Sequence, residues 1–297
     1  MDHLGELAAL TAALIWAGSL CTFRAWGGEL AASTLTCFKA LVALAGLAVS
    51  LAWVQPELPS DGTVWLLLGL SGLIGLTIGD TAFFAALKRL GAQRTASLQC
   101  LAPPLSALIA LVFLDEHLSG KQTTGMTLTV AAVLGVIWSG RKAVTPGSAE
   151  SAVGLSSGIA FAVLAALCQA IGLCLARPAL QDTHVLVGTA MRFAPAVIGL
   201  LLIERFRPAG SGSLRDLTRD HRRLAVLSIA SFAGTFVGVL LLTFGTKYAE
   251  AGVVTAISHT FPVWAVPIAR YTIKETVQPA AVFWTLVAVA GVALTLL

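Results

Sequence analysis

Residues 75–116, GLTIGDTAFFAALKRLGAQRTASLQCLAPPLSALIALVFLDE, have a counterpart in residues 234–275, GTFVGVLLLTFGTKYAEAGVVTAISHTFPVWAVPIARYTIKE. Overall identity between the two stretches is low, but most of the matched residues are types that are scarce or awkward in an apolar chain. Six pairs are separated by the same 159 positions: Gly75/Gly234, Gly79/Gly238, Lys88/Lys247, Ala92/Ala251, Pro103/Pro262 and Glu116/Glu275. The repetition indicates that the chain is built from two related halves.

The composition around this repeat is that of a membrane protein. Of the 297 residues, 57% are hydrophobic and only 11% are charged, whereas soluble domains carry about 25% charged residues. The mean hydropathy is +0.87. Ten apolar stretches approach the roughly 20 residues that a membrane-spanning helix needs: 5–23, 30–54, 63–87, 93–114, 122–140, 153–175, 184–203, 224–245, 251–272 and 279–297. The sequence predicts an all-α membrane protein with ten transmembrane helices.

A polar segment, residues 143–151, separates the halves. It follows a first five-helix repeat at 1–142 and precedes a second one at 152–297. Because each half has an odd number of helices, the two halves are predicted to cross the membrane in opposite orientations. Inverted repeats of this kind are typical of secondary transporters, whose substrate site lies between the repeats near the middle of the bilayer.

The basic residues predict the orientation. Fourteen Lys and Arg residues fall in the connections after the odd-numbered stretches or in the ends of the stretches beside them, and three fall on the other side, Lys121, Arg177 and Lys247. Cytoplasmic connections carry the excess of Lys and Arg, so both termini are predicted outside the cell (inner) membrane. The longest connection, residues 205–223, either contacts anionic lipid headgroups or only determines topology.

Polar side chains inside the apolar stretches are candidates for function, because charged groups at a helix centre cost roughly 2.5–3.5 kcal/mol on insertion scales. Lys39 and Arg192 occupy matching positions of the second and seventh stretches. They either hold an anionic group of a substrate or pair with carboxylates and backbone carbonyls. Asp80 has no acidic counterpart in the eighth stretch, where Val239 stands, and is interpreted as a counter-ion or a proton-coupling carboxylate.

Gln99 and His259 lie in the fourth and ninth stretches, just before Pro103 and Pro262. Proline leaves the carbonyl four residues earlier without a partner, and such a carbonyl inside a membrane often lines a cavity. His259 either titrates during transport or only completes a hydrogen bond. Glu116 and Glu275 follow the prolines at equal spacing and are expected to cap the next helix or pair across the turn.

The sequence contains no catalytic constellation, metal motif or nucleotide-binding loop, so no enzyme activity and no cofactor are predicted. Five cysteines, all in apolar stretches, are interpreted as small buried hydrophobic residues.

In the order of its motifs along the whole sequence, the chain resembles the ten-helix EamA-repeat proteins of the drug/metabolite transporter superfamily. The resemblance rests on Trp16-Ala17-Gly18-Ser19, the central basic residues Lys39 and Arg192, Phe84-Ala85-Ala86-Leu87, the prolines followed by glutamates, and Gly135 and Gly291. It implies a five-plus-five inverted-repeat transporter of small organic solutes, often amino acids or related metabolites, with a central cavity lined by stretches 1, 3, 4, 6, 8 and 9. Many such relatives have cytoplasmic termini, which differs from the orientation that the charges predict.

We therefore expect a secondary transporter of a small polar or amphipathic metabolite that works by alternating access. The expected partners are the solute and the lipid bilayer, with no nucleic acid, and the chain is treated as a monomer. The candidate substrate-binding residues are Trp16, Ser19, Lys39, Asp80, Gln99, Gln169, Arg192, Thr235 and His259. The alternatives are a translocator of lipids or lipid-linked headgroups and a membrane scaffold that transports nothing.

Overall fold

The computed structural model describes residues 3–113, 119–142, 149–207, 212–248 and 251–296, and within these ranges it contains helices and no strand. The first half comprises α1 (Leu4–Trp26), α2 (Ala32–Val54), α3 (Gly62–Gly72), the π-helical segment π1 (Leu73–Gly79), α4 (Asp80–Leu90), α5 (Ala92–Gln99), α6 (Ala102–Phe113) and α7 (Gly120–Lys142). The second comprises α8 (Ala149–Gln181), α9 (Val185–Arg205), α10 (Leu214–Arg219), α11 (His221–Ser231), π2 (Phe232–Val237), α12 (Gly238–Tyr248), α13 (Ala251–Ser258), α14 (Phe261–Thr272) and α15 (Pro279–Leu296).

In the described part of the chain, seven helices are long and apolar enough to cross a membrane: Leu4–Trp26, Ala32–Val54, Gly62–Leu90, Gly154–Gln181, Val185–Arg205, His221–Leu242 and Pro279–Leu296. Large apolar side chains cover their outer faces; Trp53, for example, is 90% exposed. Soluble proteins rarely expose apolar patches of this extent, so the outer faces suit lipid. The structure confirms a helical membrane protein, while the full count of ten spans stays a prediction.

The two halves repeat each other in their irregularities as well as in their sequence. The π-helical segments π1 and π2 begin at Leu73 and Phe232, 159 positions apart. The fourth and ninth predicted spans are each broken into two short helices, α5/α6 and α13/α14, again at the same offset. The breaks lie just before Pro103 and Pro262, where the missing N–H groups interrupt the helical hydrogen bonds. Short π-helical segments such as π1 and π2 are frequent at functional sites.

Each half packs its glycine-bearing helix against the first helix of the other half. α1 lies against π2 and α12, and α8 lies against π1 and α4. A Cβ atom on Gly172 would lie 3.2 Å from the Cα of Gly75, and one on Gly234 would lie 2.5 Å from the Oγ of Ser19. Small residues let membrane helices approach this closely. The two halves are therefore held together by direct contact at their π-helical segments.

The basic connection between α9 and α11 is partly helical, although residues 208–211 lie outside the described residues. Its helix α10 begins with a capping box, in which the carboxylate of Asp216 accepts hydrogen bonds from the backbone and hydroxyl of Ser213. These bonds lower the pKa of the Asp216 carboxyl. At the end of the connection, Arg223 Nε donates to the Trp26 carbonyl at 2.6 Å. The connection is thereby anchored to the end of α1.

Gly72 offers a direct test of the close packing. A Cβ atom there would lie 1.9 Å from the carbonyl oxygen of Arg192, a backbone atom that cannot move without shifting α9. We expect Gly72→Ala to lower the free energy of unfolding by about 1–3 kcal/mol, the range for overpacking, measured as a fall in melting temperature in detergent.

Gly69→Ala on the same helix is the matched control, because the atom nearest to its added Cβ is 4.0 Å away. It should be neutral or slightly stabilising, since alanine favours the helix more than glycine. Equal melting temperatures for the two variants would contradict the packing described for α3 and α9.

Candidate functional site

An ion pair lies at the junction of π1 and α4. Lys39 of α2 places Nζ 2.6 Å from Oδ2 of Asp80, the first residue of α4, and their side chains are 17% and 7% exposed. The ammonium also lies 5.7 Å from the ring centroid of Phe84, within reach of a cation–π interaction. The sequence allowed Asp80 to be a counter-ion or a proton-coupling carboxylate. In the structure it is the counter-ion of Lys39.

Arg192 approaches the same π-helical segment from α9. Its Nη2 lies 3.7 Å from the position that a Cβ on Gly75 would take. Its Nε is fully buried and has no hydrogen-bond partner among the described residues. The repeat-related cations thus meet different environments: Lys39 has a carboxylate, and Arg192 has none in contact.

Trp16 and Ser19 of α1 form hydrogen bonds with the backbone at the second π-helical segment. Trp16 donates its Nε1 hydrogen to the Gly234 carbonyl at 2.7 Å, and Ser19 donates its hydroxyl to the Ala230 carbonyl at 3.0 Å. Thr235, within π2, is buried. A π-helical segment displaces backbone carbonyls from their usual helical partners, and here the side chains of α1 satisfy two carbonyls in and just before it. These residues join the halves together.

Gln99 and His259 occupy the two helix breaks. Gln99, the last residue of α5, is buried and has no side-chain hydrogen bond to a described residue. His259 lies between α13 and α14, and its Nδ1 is 2.9 Å from the Thr255 carbonyl oxygen. Gln169 is half-buried on α8, next to Cys168, whose Cβ lies 2.9 Å from where a Cβ on Gly79 would sit. The role of these three residues as substrate ligands stays a prediction.

A cleft of about 580 Å³ opens beside the N-terminal end of α1. Its other wall is formed by the end of α13, the helix break and the first turn of α14. Its lining is almost entirely apolar, with polar groups at the rim and at the break: His3, Glu6, Leu7, Leu10, Ile257, Thr260, Val263 and Trp264. Trp264 lines this cleft, whereas Trp16 packs at the interface between the halves and contacts Phe261 edge-on at 6.5 Å.

The opposite end of the bundle is closed by Glu275. Its carboxylate accepts hydrogen bonds from the backbone N–H groups of Ala92 at 2.9 Å and Gln93 at 3.3 Å, at the start of α5. Gly91 has φ of +84°, and an added Cβ would lie 2.5 Å from a Glu275 oxygen. The prediction that Glu275 caps the next helix was wrong about the partner, because it caps a helix of the other half. Glu116 lies outside the described residues.

Further contacts at this end were not anticipated from the sequence. Gln93 Nε2 donates to the Thr285 hydroxyl at 3.0 Å, and Ser97 shares a hydrogen bond with the same hydroxyl at 2.8 Å. Lys88 Nζ donates to the Leu30 carbonyl at 2.6 Å. The equal spacing of the two glutamates from the prolines indicated a structural role, but no sequence pattern indicated the partners of Glu275. Among the described residues, no group of three or more His, Cys, Asp and Glu side chains could hold a metal ion.

Removing the cap should weaken the closed end. We expect Glu275→Ala to cost about 1–2 kcal/mol of folding free energy, since two backbone donors at a helix N-terminus lose their partner. Glu275→Gln keeps one acceptor oxygen and should cost less. Melting temperatures in detergent, compared with Glu57→Ala in the exposed connection after α2, measure the effect. A Glu275→Ala variant as stable as Glu57→Ala would show that the cap contributes nothing.

Comparison with known proteins places this architecture among transporters. The EamA-like transporter family matches the chain twice, over residues 3–138 and 156–297. A protein of Archaeoglobus fulgidus described as an uncharacterized transporter is 25% identical over 293 residues, covering 98% of this chain and 97% of its own length. A solved structure described only as a crystal structure of protein superposes with a TM-score of 0.68 at 16% identity, over 99% of this chain and 98% of that one, and so shares the fold. Because the family match covers both halves, the chain belongs to the EamA-like transporter family.

Proposed function

We propose that this protein is a secondary transporter that moves a small polar or amphipathic metabolite across the cell membrane by alternating access, and that it catalyses no reaction. The two five-helix halves are the moving parts, and the site lies between them. The candidate site residues on α1, α2, α4, α5, α8, α9, π2 and at the α13/α14 break surround this interface. Both termini face outward in this proposal, following the distribution of basic residues.

The observation that carries the proposal is that the bundle is closed at one end and open at the other. Among the described residues, α14 packs against α5 at the Glu275 end, while the repeat-related pair α6 and α13 has no comparable contact. The cleft of about 580 Å³ lies toward the end of the bundle where α13 begins. Two related halves that differ in this way can exchange roles, so that the open end closes as the closed end opens.

The proposal includes ten membrane spans. The three that are not apolar and continuous enough to qualify individually are α7 and the broken pairs α5/α6 and α13/α14. α7 packs along α15, its counterpart in the second half, which does qualify. Broken helices are tolerated at membrane depth where they are buried in protein or line a cavity. Gln99 and His259 at these breaks are accordingly placed near the middle of the membrane.

Counterflow in proteoliposomes tests transport itself. Liposomes containing the purified protein are preloaded with amino acids, organic acids, sugar phosphates and polyamines, and each labelled compound is then offered outside. We expect at least one labelled solute to accumulate, with saturable competition, in these liposomes and not in protein-free ones. If folded protein accumulates no water-soluble solute, the proposal fails, and a lipid-linked substrate or a scaffold role is favoured instead.

Thiol labelling tests the one-sided opening. In a variant whose five native cysteines are replaced, Leu7→Cys places a thiol on the cleft and Ala269→Cys places one in the fully buried core of the closed end. A membrane-impermeant thiol reagent added to intact cells should react rapidly with the first and slowly with the second, because only the cleft admits water.

The same pair of variants in inside-out vesicles separates orientation from conformation. Reaction of Leu7→Cys only in inside-out vesicles would show that the termini face the cytoplasm, leaving the one-sided opening intact. Equally fast reaction of both thiols, each from its own side, would show that the bundle is open at both ends.

A further inference from the structure

The long connection between α9 and α11 carries an unbalanced positive charge. Residues 205–223 contain six arginines and only two aspartates. Both carboxylates are already engaged, because Asp216 completes the capping box of α10 and Asp220 accepts a backbone hydrogen bond at the start of α11. Arg205 and Arg222 are exposed, and neither forms an ion pair with a carboxylate of a described residue. The surface therefore presents positive charge that the protein does not neutralise.

The connection is folded against the bundle, so its position is fixed. The side chain of Leu217 is buried in the core, and the Ala31 N–H donates to the Gly212 carbonyl at 3.1 Å. The guanidinium of Arg222 lies 5.4 Å from the centroid of the Trp26 ring. A role confined to topology requires only the charge of a connection and not its packing. The packed connection instead holds its exposed arginines in defined places.

Each helix that flanks the connection has an exposed apolar stripe that leads to one of these arginines. Residues three or four positions apart lie on the same face of a helix. The exposed members of the stripes are Ile198, Leu202 and Arg205 on α9, and Ile229, Ala225 and Arg222 on α11. Both helices belong to segments long and apolar enough to span a membrane, and the arginines stand at the ends of those segments. Each stripe therefore faces acyl chains, with its arginine at the level of the headgroups.

We propose that Arg205 and Arg222 each bind the phosphate of an anionic phospholipid whose acyl chains lie along the stripe of the same helix. The proposal goes beyond the transport function and does not depend on it. Arginine presents paired N–H donors that match phosphate oxygens.

The charge and the stripes together identify this occupant. An anionic headgroup balances the excess positive charge of the connection, whereas a zwitterionic headgroup would add an ammonium group to it. A soluble phosphate would satisfy the arginines alone, because it has no chain to cover the apolar stripes. An anionic phospholipid matches both parts of the surface.

The experiment measures thermal stabilisation of the purified protein in detergent by phosphatidylglycerol, phosphatidylcholine and the soluble headgroup glycerol phosphate. We expect phosphatidylglycerol to raise the melting temperature more than phosphatidylcholine does, and glycerol phosphate to leave it unchanged. Added salt should reduce the difference between the two lipids, because it screens exposed charges. Topology is already determined in the purified protein, so a lipid preference there reports contact alone.

Arg205→Gln and Arg222→Gln should each weaken the apparent affinity for phosphatidylglycerol about fivefold, and the double variant roughly thirtyfold, from the contribution of one basic residue near an anionic surface. The affinity for phosphatidylcholine should stay unchanged. Lys121→Gln, which removes an exposed positive charge at the start of α7, is the control and should bind phosphatidylglycerol as the unaltered protein does.

Three results would overturn the proposal. Equal stabilisation by the two lipids would show that the surface does not select negative charge. A preference for phosphatidylglycerol that persists in the double variant would place anionic lipids elsewhere and leave these arginines a role in topology alone. Stabilisation by glycerol phosphate equal to that by phosphatidylglycerol would indicate a site for soluble anions. None of these measurements involves solute transport, so their failure and a failure of counterflow are separate results.

Discussion

Direct contact between the π-helical segments of one half and the first helix of the other half is the constraint on which the structure depends. Gly75 meets Gly172 backbone to backbone, and Gly234 and Gly238 lie under Ser19 and Trp16. In a bilayer, apolar burial supplies little attraction between helices, so close packing and hydrogen bonds must hold them. Close packing comes from the glycine contacts, and hydrogen bonds come from Trp16 and Ser19 of α1, which donate to carbonyls in and just before π2.

The two halves differ in the charged residues that they contribute to the interior. Both halves inherit a cation in the second helix of the repeat, but only the first half has an acid, Asp80, at the end of its π-helical segment. Lys39 contacts this acid and Arg192 does not. Since an ion pair inside a membrane is favourable only with close geometry, one carboxylate can neutralise one cation. A single substitution between repeats, Asp80 against Val239, is thus enough to leave a positive charge near the interface.

The ends of the bundle also differ despite the repeat. At the closed end, backbone groups of α5 are satisfied by a carboxylate that follows α14, and the Gln93–Ser97–Thr285 hydrogen bonds extend the contact to α15. A helix N-terminus attracts negative charge through its free N–H groups, so the carboxylate of Glu275 stabilises the start of α5.

Much of this architecture was accessible from the sequence, because hydropathy, residue scarcity and proline position are properties of one segment at a time. They determined that the chain is helical, lies in a membrane, repeats once and belongs to its transporter family. The breaks of the fourth and ninth spans before Pro103 and Pro262 were not predicted, although the prolines marked carbonyls without a helical partner. Only the tertiary structure decided that Asp80 forms its ion pair with Lys39 and not with Arg192. It also decided that Trp16 donates a hydrogen bond to the Gly234 carbonyl, and that Glu275 caps α5 and not the helix that follows it. These contacts depend on which faces of the helices pack together and on how the helices are aligned along the membrane normal. Both are determined by helices that are distant in the sequence.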